Sequence, residues 1–209
     1  ADSALSTANL GGGNDSLVRV DLTNVGGALA ITGVESVTTG IGADVVTSDA
    51  ALKNATLGSG DDTLTVNAAG VAVTATVTGG ENSDSVTVNG ATTVALSLNT
   101  VESVTTGNSN DTITSDGSLR TADLGEGNNS LTSTGAANQL IDLDVTSGNG
   151  NDTLSITAAG TGAIVLDAEL GAGNNQVTLT TAATGAITAD VTTGAGADRV
   201  TTAGDSAVT

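Results

Sequence analysis

A short motif of glycine, acidic and aliphatic residues recurs along the whole chain and constrains its fold more than any other feature. The clearest copy, 148–156, reads GNGNDTLSI. Position seven of the motif is aliphatic in every copy, and a chain without regular structure has no reason to keep that register. Nine copies are found, beginning at Gly11, Gly40, Gly58, Gly80, Gly107, Gly125, Gly148, Gly171 and Gly194.

The segments between the copies have the pattern of β-strands. Val alternates with Thr or Ala over 71–77, which is typical of a half-buried strand, and no apolar stripe of helical period persists. Successive copies are 29, 18, 22, 27, 18, 23, 23 and 23 residues apart. We predict an all-β, right-handed parallel β-solenoid (a β-roll or β-helix) of about nine coils, 18–29 residues each. Residues 1–209 are interpreted as one repetitive domain that starts and ends mid-coil, as part of a larger or polymeric assembly.

A longer repeat lies on top of the short one. The sequence VESVTTG occurs at 34–40 and again at 101–107, which indicates duplication of a block of three coils. Its glutamates, Glu35 and Glu102, are interpreted as solvent-facing, with a ligand role on a second edge of the coil as the alternative.

The composition excludes several kinds of site. The 209 residues include no Cys, His, Phe, Tyr or Trp, so thiolate and imidazole metal sites and histidine-dependent catalysis are excluded. The 23 acidic and four basic residues give a net charge of −19. That charge argues against nucleic acid and anionic membranes as partners. No apolar run is long enough for membrane insertion. Because the chain lacks the residues of common catalytic sites, we also expect that it is not an enzyme.

Stacking of the copies predicts a metal site. Carboxylates one above another at about 4.8 Å repel each other by roughly 1 kcal/mol even in water. A divalent cation between turns reverses that effect, and Ca²⁺ suits oxygen ligands in loose geometry. The other turns of the coil carry little charge, so we expect the acidic row on one edge only. The predicted ligands at position five are Asp15, Asp44, Asp62, Asp84, Asp111, Asp152 and Asp198, with weaker positions at Asn129 and Asn175.

These copies resemble the RTX (repeats-in-toxin) nonapeptide, Gly-Gly-x-Gly-x-Asp followed by an aliphatic residue. The resemblance covers nearly the whole chain and is best at 11–17 and 148–154. It implies a calcium-bound β-roll in an exported protein that folds outside the cell. The VESV segments and Ala/Thr-rich spacers are also similar to bacterial surface-layer proteins with RTX-like repeats. Asn82 and Ser109 replace the second motif glycine, so we expect weaker or absent sites in those two copies.

Three functions are compatible with this sequence. We expect a calcium-stabilised extracellular structural module, such as part of a surface layer, a matrix fibre or an adhesin stalk, with copies stacking end to end into an oligomer or polymer. The alternative is a binding module whose Thr and Asn rows contact ice or glycans, although unequal coils would disturb their spacing. A polysaccharide-active β-helix enzyme is disfavoured, because basic residues are few. The rows would include Thr63, Thr65, Thr112, Thr114, Thr153 and Thr178.

Overall fold

The computed structural model describes residues 5–19, 26–182 and 184–204. These residues form strands and turns without a helix, and the predicted all-β parallel β-solenoid of about nine coils is confirmed. The partial coils predicted at the two ends extend into 1–4 and 205–209, which lie outside the described residues. The chain divides into two compact units, Ala1–Ser103 and Val104–Thr209. The interpretation of 1–209 as one domain stays a prediction.

The first unit consists of two parallel sheets. Odd-numbered strands form one sheet in the order β1-β3-β5-β7-β9, and even-numbered strands form the other in the order β2-β4-β6-β8-β10. The chain thus alternates between the two sheets, as a solenoid requires. The strands are β1 (Thr7–Asn9), β2 (Ser16–Val18), β3 (Ala28–Thr32), β4 (Ser36–Thr38), β5 (Val45–Asp49), β6 (Asn54–Ser59), β7 (Thr63–Asn67), β8 (Val73–Glu81), β9 (Ser85–Asn89) and β10 (Thr93–Asn99).

The second unit has the same construction. Its even-numbered strands follow the order β12-β14-β16-β18-β20 and its odd-numbered strands the order β13-β15-β17-β19. A short strand, β11 (Ser103–Thr105), includes the boundary between the units. The strands are β12 (Asn110–Ser115), β13 (Thr121–Asp123), β14 (Ser130–Ala137), β15 (Ile141–Ser147), β16 (Thr153–Ala159), β17 (Ile164–Leu170), β18 (Gln176–Thr181), β19 (Ile187–Thr193) and β20 (Arg199–Ala203).

The aliphatic residues at position seven stack in register and form the core. In the first unit Val46, Leu64 and Val86 pair across β5, β7 and β9, and each is fully buried. Leu131 and Leu154 do the same in the second unit. Burial of such a side chain stabilises the fold by about 1.5–3 kcal/mol. A repeated aliphatic column therefore replaces the aromatic residues that the chain lacks.

The longest spacing between copies contains a hidden turn of the same kind. Asp15 N–H donates to Glu35 Oε2 at 2.8 Å, 20 residues along the chain. Strand β4, which follows Glu35, pairs with β2, which follows Asp15. Glu35 therefore stands one full coil after Asp15, where a motif carboxylate is expected. The next carboxylate, Asp44, follows nine residues later, so the spacing of 29 is one coil plus half a coil.

This half-coil shift moves the motif to the other edge of the solenoid. Asp15 precedes β2 in the even-numbered sheet, whereas Asp44 precedes β5 in the odd-numbered sheet. The prediction that all motif carboxylates share one edge is therefore wrong. The interpretation of the VESV glutamates as solvent-facing is also wrong, because Glu35 and Glu102 each accept a backbone N–H at 2.8 Å from a motif aspartate.

Candidate functional site

The motif aspartates lie inside the coil. Asp44 and Asp152 are 0% exposed and Asp62 is 1% exposed. The cause is the period of two along a strand, because residues five and seven of the motif point to the same side. Since position seven is directed into the core, position five is directed inward as well. This signal is present in the sequence, whereas the stacking of copies alone predicts only that the carboxylates lie at a coil edge.

One oxygen of each buried side chain takes part in a ladder of hydrogen bonds between coils. Asp62 Oδ1 accepts the N–H of Asp44 at 2.7 Å, and Asp84 Oδ1 accepts the N–H of Asp62 at 2.9 Å. Each Oδ1 thereby satisfies the backbone of the preceding coil. In the second unit the same bond, at 2.9–3.0 Å, joins Asp111 to Asn129, Asn129 to Asp152, Asp152 to Asn175 and Asn175 to Asp198.

The other carboxylate oxygen, Oδ2, is buried and accepts no hydrogen bond in five of these coils. It lies close to the backbone of its turn: a Cβ built on Gly13 would stand 3.5 Å from Asp15 Oδ2, and one built on Gly79, the residue before the motif, would stand 2.3 Å from Asp84 Oδ2. A buried ionised oxygen without a partner destabilises a fold unless a positive group compensates it. The five carboxylates are those of Asp15, Asp44, Asp62, Asp84 and Asp152.

The two asparagine coils show which kind of group this position favours. Asn129 Nδ2 donates to the carbonyl oxygens of Gly125 and Gly127 at 3.3 and 3.2 Å. Asn175 Nδ2 donates to Gly171 O at 2.9 Å. Asn and Asp have the same shape, and both use Oδ1 in the ladder, so Oδ2 of an aspartate corresponds to Nδ2 of an asparagine. We call the space bounded by this atom and the two motif-glycine carbonyls the turn cage.

From this correspondence we infer that the turn cage of an aspartate coil contains only oxygen atoms. A carboxylate oxygen that faces carbonyl oxygens is repelled unless a proton or a cation lies between them. Hard cations such as Ca²⁺ bind carboxylate and carbonyl oxygens in this way. Among the described residues, no group of three or more acidic side chains converges on one point. Backbone carbonyls would therefore have to supply most ligands of a bound cation.

The carboxyl pKa reflects this environment. Burial raises the pKa of Asp62 to about 6, and the neighbouring Asp44 and Asp61 carboxylates add to the rise. Burial likewise raises the pKa of Asp84 to about 6, with contributions from Asp62, Glu102 and Asp61. The ladder hydrogen bond opposes the rise in both cases. Close to neutral pH these carboxyl groups therefore hold a proton, or bind a cation, more readily than exposed ones do.

One carboxylate of the ladder has a positive partner within the chain. Arg19 forms an ion pair with Asp44 Oδ1, which also accepts the N–H of Gly27 at 3.0 Å. The guanidinium donates to Gly27 O at 3.0 Å and is only 11% exposed. Gly27 occupies the position-five place of the coil before Asp44, because Ala28 pairs with Val45. Arg19 could not be assigned to this site from the sequence, since nothing local connects it to a residue 25 positions later.

The second motif glycine, at position three, is favoured for a reason unrelated to ligands. A Cβ on Gly150 would stand 1.8 Å from Gly127 O, and a Cβ on Gly173 would stand 1.8 Å from Gly150 O. The backbones of successive turns are thus in direct contact. Asn82 occupies the same place with a positive φ of 86°, a conformation that Asn tolerates better than most residues. At Ser109 the hydroxyl donates to Asp111 Oδ1 at 2.5 Å.

The remaining predicted ligands lie at the ends of their columns. Asp15 and Asp198 are half-buried rather than buried. Asp198 Oδ1 still accepts the N–H of Asn175. The structure therefore brings every predicted ligand into a ladder of this kind, but on two edges of the coil.

Comparisons with known proteins identify no relative: no protein-family model, no curated protein and no solved structure matches the chain. In the described ranges, no helix of sufficient length and apolarity to cross a membrane is found.

Proposed function

We propose that the chain is a calcium-stabilised, non-catalytic structural module of an exported RTX-like protein at a bacterial cell surface. A surface layer, a matrix fibre and an adhesin stalk are assemblies that such a module would serve. One observation carries the proposal: in consecutive coils, such as those of Asp62 and Asp84, a buried carboxylate oxygen accepts no hydrogen bond at the place where Asn129 donates to two glycine carbonyls. Free Ca²⁺ is scarce inside cells and abundant outside them, which fits an extracellular location.

The donor set favours calcium over other metals. Only carboxylate and carbonyl oxygens are available, because the chain has no His or Cys. Ca²⁺ takes about six to eight oxygens with flexible geometry, whereas Mg²⁺ requires a nearly regular octahedron and retains its waters. The residues that would hold the ion are the motif aspartates, together with carbonyls of the adjacent glycines. Bound calcium would supply positive charge to the turn cage.

Calcium titration tests the proposal. Chain freed of metal with EGTA should lose thermal stability and β-type circular dichroism, and should regain both with Ca²⁺ but only weakly with Mg²⁺. The variant Asp62→Asn should bind one ion fewer by isothermal titration calorimetry, because its amide would fill the turn cage.

Asp61→Asn is the matched control for that variant. Asp61 is exposed and its Oδ1 accepts the N–H of Ser83 at 3.1 Å, a bond that an Asn Oδ1 can also accept. The control should bind as many ions as the parent chain. Identical unfolding curves in EGTA and in calcium would contradict the proposed function.

We also propose that copies stack end to end, as coils do within the chain. Strand β20 pairs only with β18 among the described residues. Val200 on β20 is 51% exposed, whereas its register partner Val177 is 1% exposed. An unpaired strand edge with exposed aliphatic residues favours such stacking. Light scattering during the calcium titration would detect this stacking. No nucleic acid or membrane partner is proposed for so acidic a chain.

A second candidate is a module that binds ice or glycans through hydroxyl groups. The strand register in the second unit favours this candidate. Four consecutive even-numbered strands align the hydroxyl residues Thr132, Ser155, Thr178 and Thr201. Successive residues of this row are each 23 positions apart, so unequal coil lengths do not disturb it. A thermal-hysteresis assay distinguishes ice binding from the structural role.

A further inference from the structure

The two units differ in the sequence of their ladders. From Asp44 the first unit has consecutive acidic residues, Asp44, Asp62, Asp84 and Glu102, joined by backbone-to-carboxylate bonds. In the second unit aspartate and asparagine alternate strictly. Its order is Asp111, Asn129, Asp152, Asn175 and Asp198.

Alternation changes the electrostatics of the column. Neighbouring coils are about 4.8 Å apart, so carboxylates in every second coil are about twice as far from one another. Their mutual repulsion falls accordingly. Asn129 also satisfies its own turn cage, because Nδ2 donates to two glycine carbonyls and lies 3.2 Å from Ser147 Oγ. In the Asn129 coil the atom that corresponds to Oδ2 of an aspartate therefore has hydrogen-bond partners.

We propose that Asn129 and Asn175 are built-in replacements for the cation, and that they make the second unit less dependent on calcium than the first. The inference rests on the proposed calcium function and adds which coils require the ion. Each amide places its N–H groups where an aspartate coil would hold a cation. Arg19 provides a related case in the first unit, where a guanidinium meets Asp44 and the carbonyl oxygen of Gly27.

The inference predicts that calcium removal acts unequally along the chain. Hydrogen exchange of the parent chain in EGTA should show the coils of Asp62 and Asp84 losing protection before those of Asn129 and Asn175. In excess Ca²⁺ the two sets should be similarly protected.

A gain of sites tests the inference directly. The double variant Asn129→Asp and Asn175→Asp should bind two more calcium ions than the parent chain, by calorimetry on metal-free protein. Its second unit should acquire calcium-dependent protection. The control is Asn128→Asp with Asn174→Asp, which adds the same charge in the same turns at exposed positions. Asn128 and Asn174 use Oδ1 as an acceptor, which aspartate preserves.

Three results would separate the possibilities. Equal ion counts in the test variant and its control, with calcium bound by the parent chain, would overturn this inference alone. No calcium binding by any chain would overturn the proposed function, and this inference with it. If the double variant does not fold even in calcium, Asp152→Asn decides. Asp152 is the ladder carboxylate between Asn129 and Asn175, so this change should remove one bound ion and raise protection against hydrogen exchange in EGTA. A variant that lacks either effect contradicts the inference.

Discussion

At the scale of single residues, one atom distinguishes the coils. Asp and Asn occupy the same place in the ladder and use the same Oδ1 acceptor. Where the second atom is Nδ2, as in Asn129, it donates to glycine carbonyls. Where it is Oδ2, as in Asp62, it has no donor. The carboxylate must therefore obtain a proton or a cation, and pH can distinguish between the two.

We expect the metal-free chain to become more stable as the pH falls from 7 to 5. The folded-state pKa of Asp62 and of Asp84 is about 6, above the ordinary aspartate value of 3.8 that applies to an unfolded chain. Between these two values the folded state binds more protons, so stability rises as pH falls through 6 toward 3.8. The gain should be on the order of 1 kcal/mol per carboxyl group by pH 5.

Urea unfolding in EGTA at several pH values measures this effect. In saturating calcium the trend should reverse, because protons compete with the ion for the same oxygens. The double variant Asp62→Asn and Asp84→Asn lacks both groups and should lose that part of the pH dependence. A parent chain whose metal-free stability falls between pH 7 and pH 5 would contradict the expectation.

At the scale of strands and turns, the coil behaves as an exchangeable unit. The three 23-residue spacings in the second unit lead to continuous register: Leu131 pairs with Leu154, and Leu154 pairs with Val177. Each coil contributes one strand to each sheet, and its core residues contact the coils on either side. Removal of one complete coil should therefore join surfaces that already match.

Deletion of 148–170 should leave the second unit folded. It removes one even-numbered and one odd-numbered strand, β16 and β17, and connects β15 directly to the turn that precedes β18. We expect cooperative unfolding, native-like circular dichroism per residue and one calcium ion fewer, because Asp152 is lost. Thermal melting and calorimetry measure these quantities.

Deletion of 148–159 provides the comparison. It removes β16 alone, so the chain would pass from β15 to β17 within one sheet, without the crossover that parallel neighbours require. That variant should lose protection against hydrogen exchange throughout the second unit. Equal stability of the two deletions would show that the coil is not the unit of folding.

At the scale of the whole molecule, charge is the dominant property. A net charge of −19 on 209 residues opposes compaction unless cations offset it. Carboxylates also align outside the core: Asp144, Asp167 and Asp190 are in register on β15, β17 and β19. Like charges directly opposite one another on neighbouring strands are destabilising. The metal-free chain should therefore respond strongly to ionic strength.

We expect the unfolding temperature in EGTA to rise with NaCl. An increase from about 0.01 M to about 1 M shortens the Debye length from about 30 Å to about 3 Å, which weakens repulsion between exposed carboxylates. In calcium the slope should be shallower, because part of the charge is already neutralised. Asp167→Asn should reduce the slope in EGTA, and a midpoint that falls with added salt would contradict this account.

The sequence by itself determined the all-β class, the repeating turn and the aliphatic column, because strand period, glycine turns and the register of position seven are properties of neighbouring residues. Burial of the aspartates could also be predicted, since positions five and seven share one side of a strand. Only the tertiary structure decided that Glu35 and Glu102 belong to the ladder and that the motif changes edge at Asp44. Both depend on how many residues complete one coil, and stacking against a neighbour about 20 positions away sets that number.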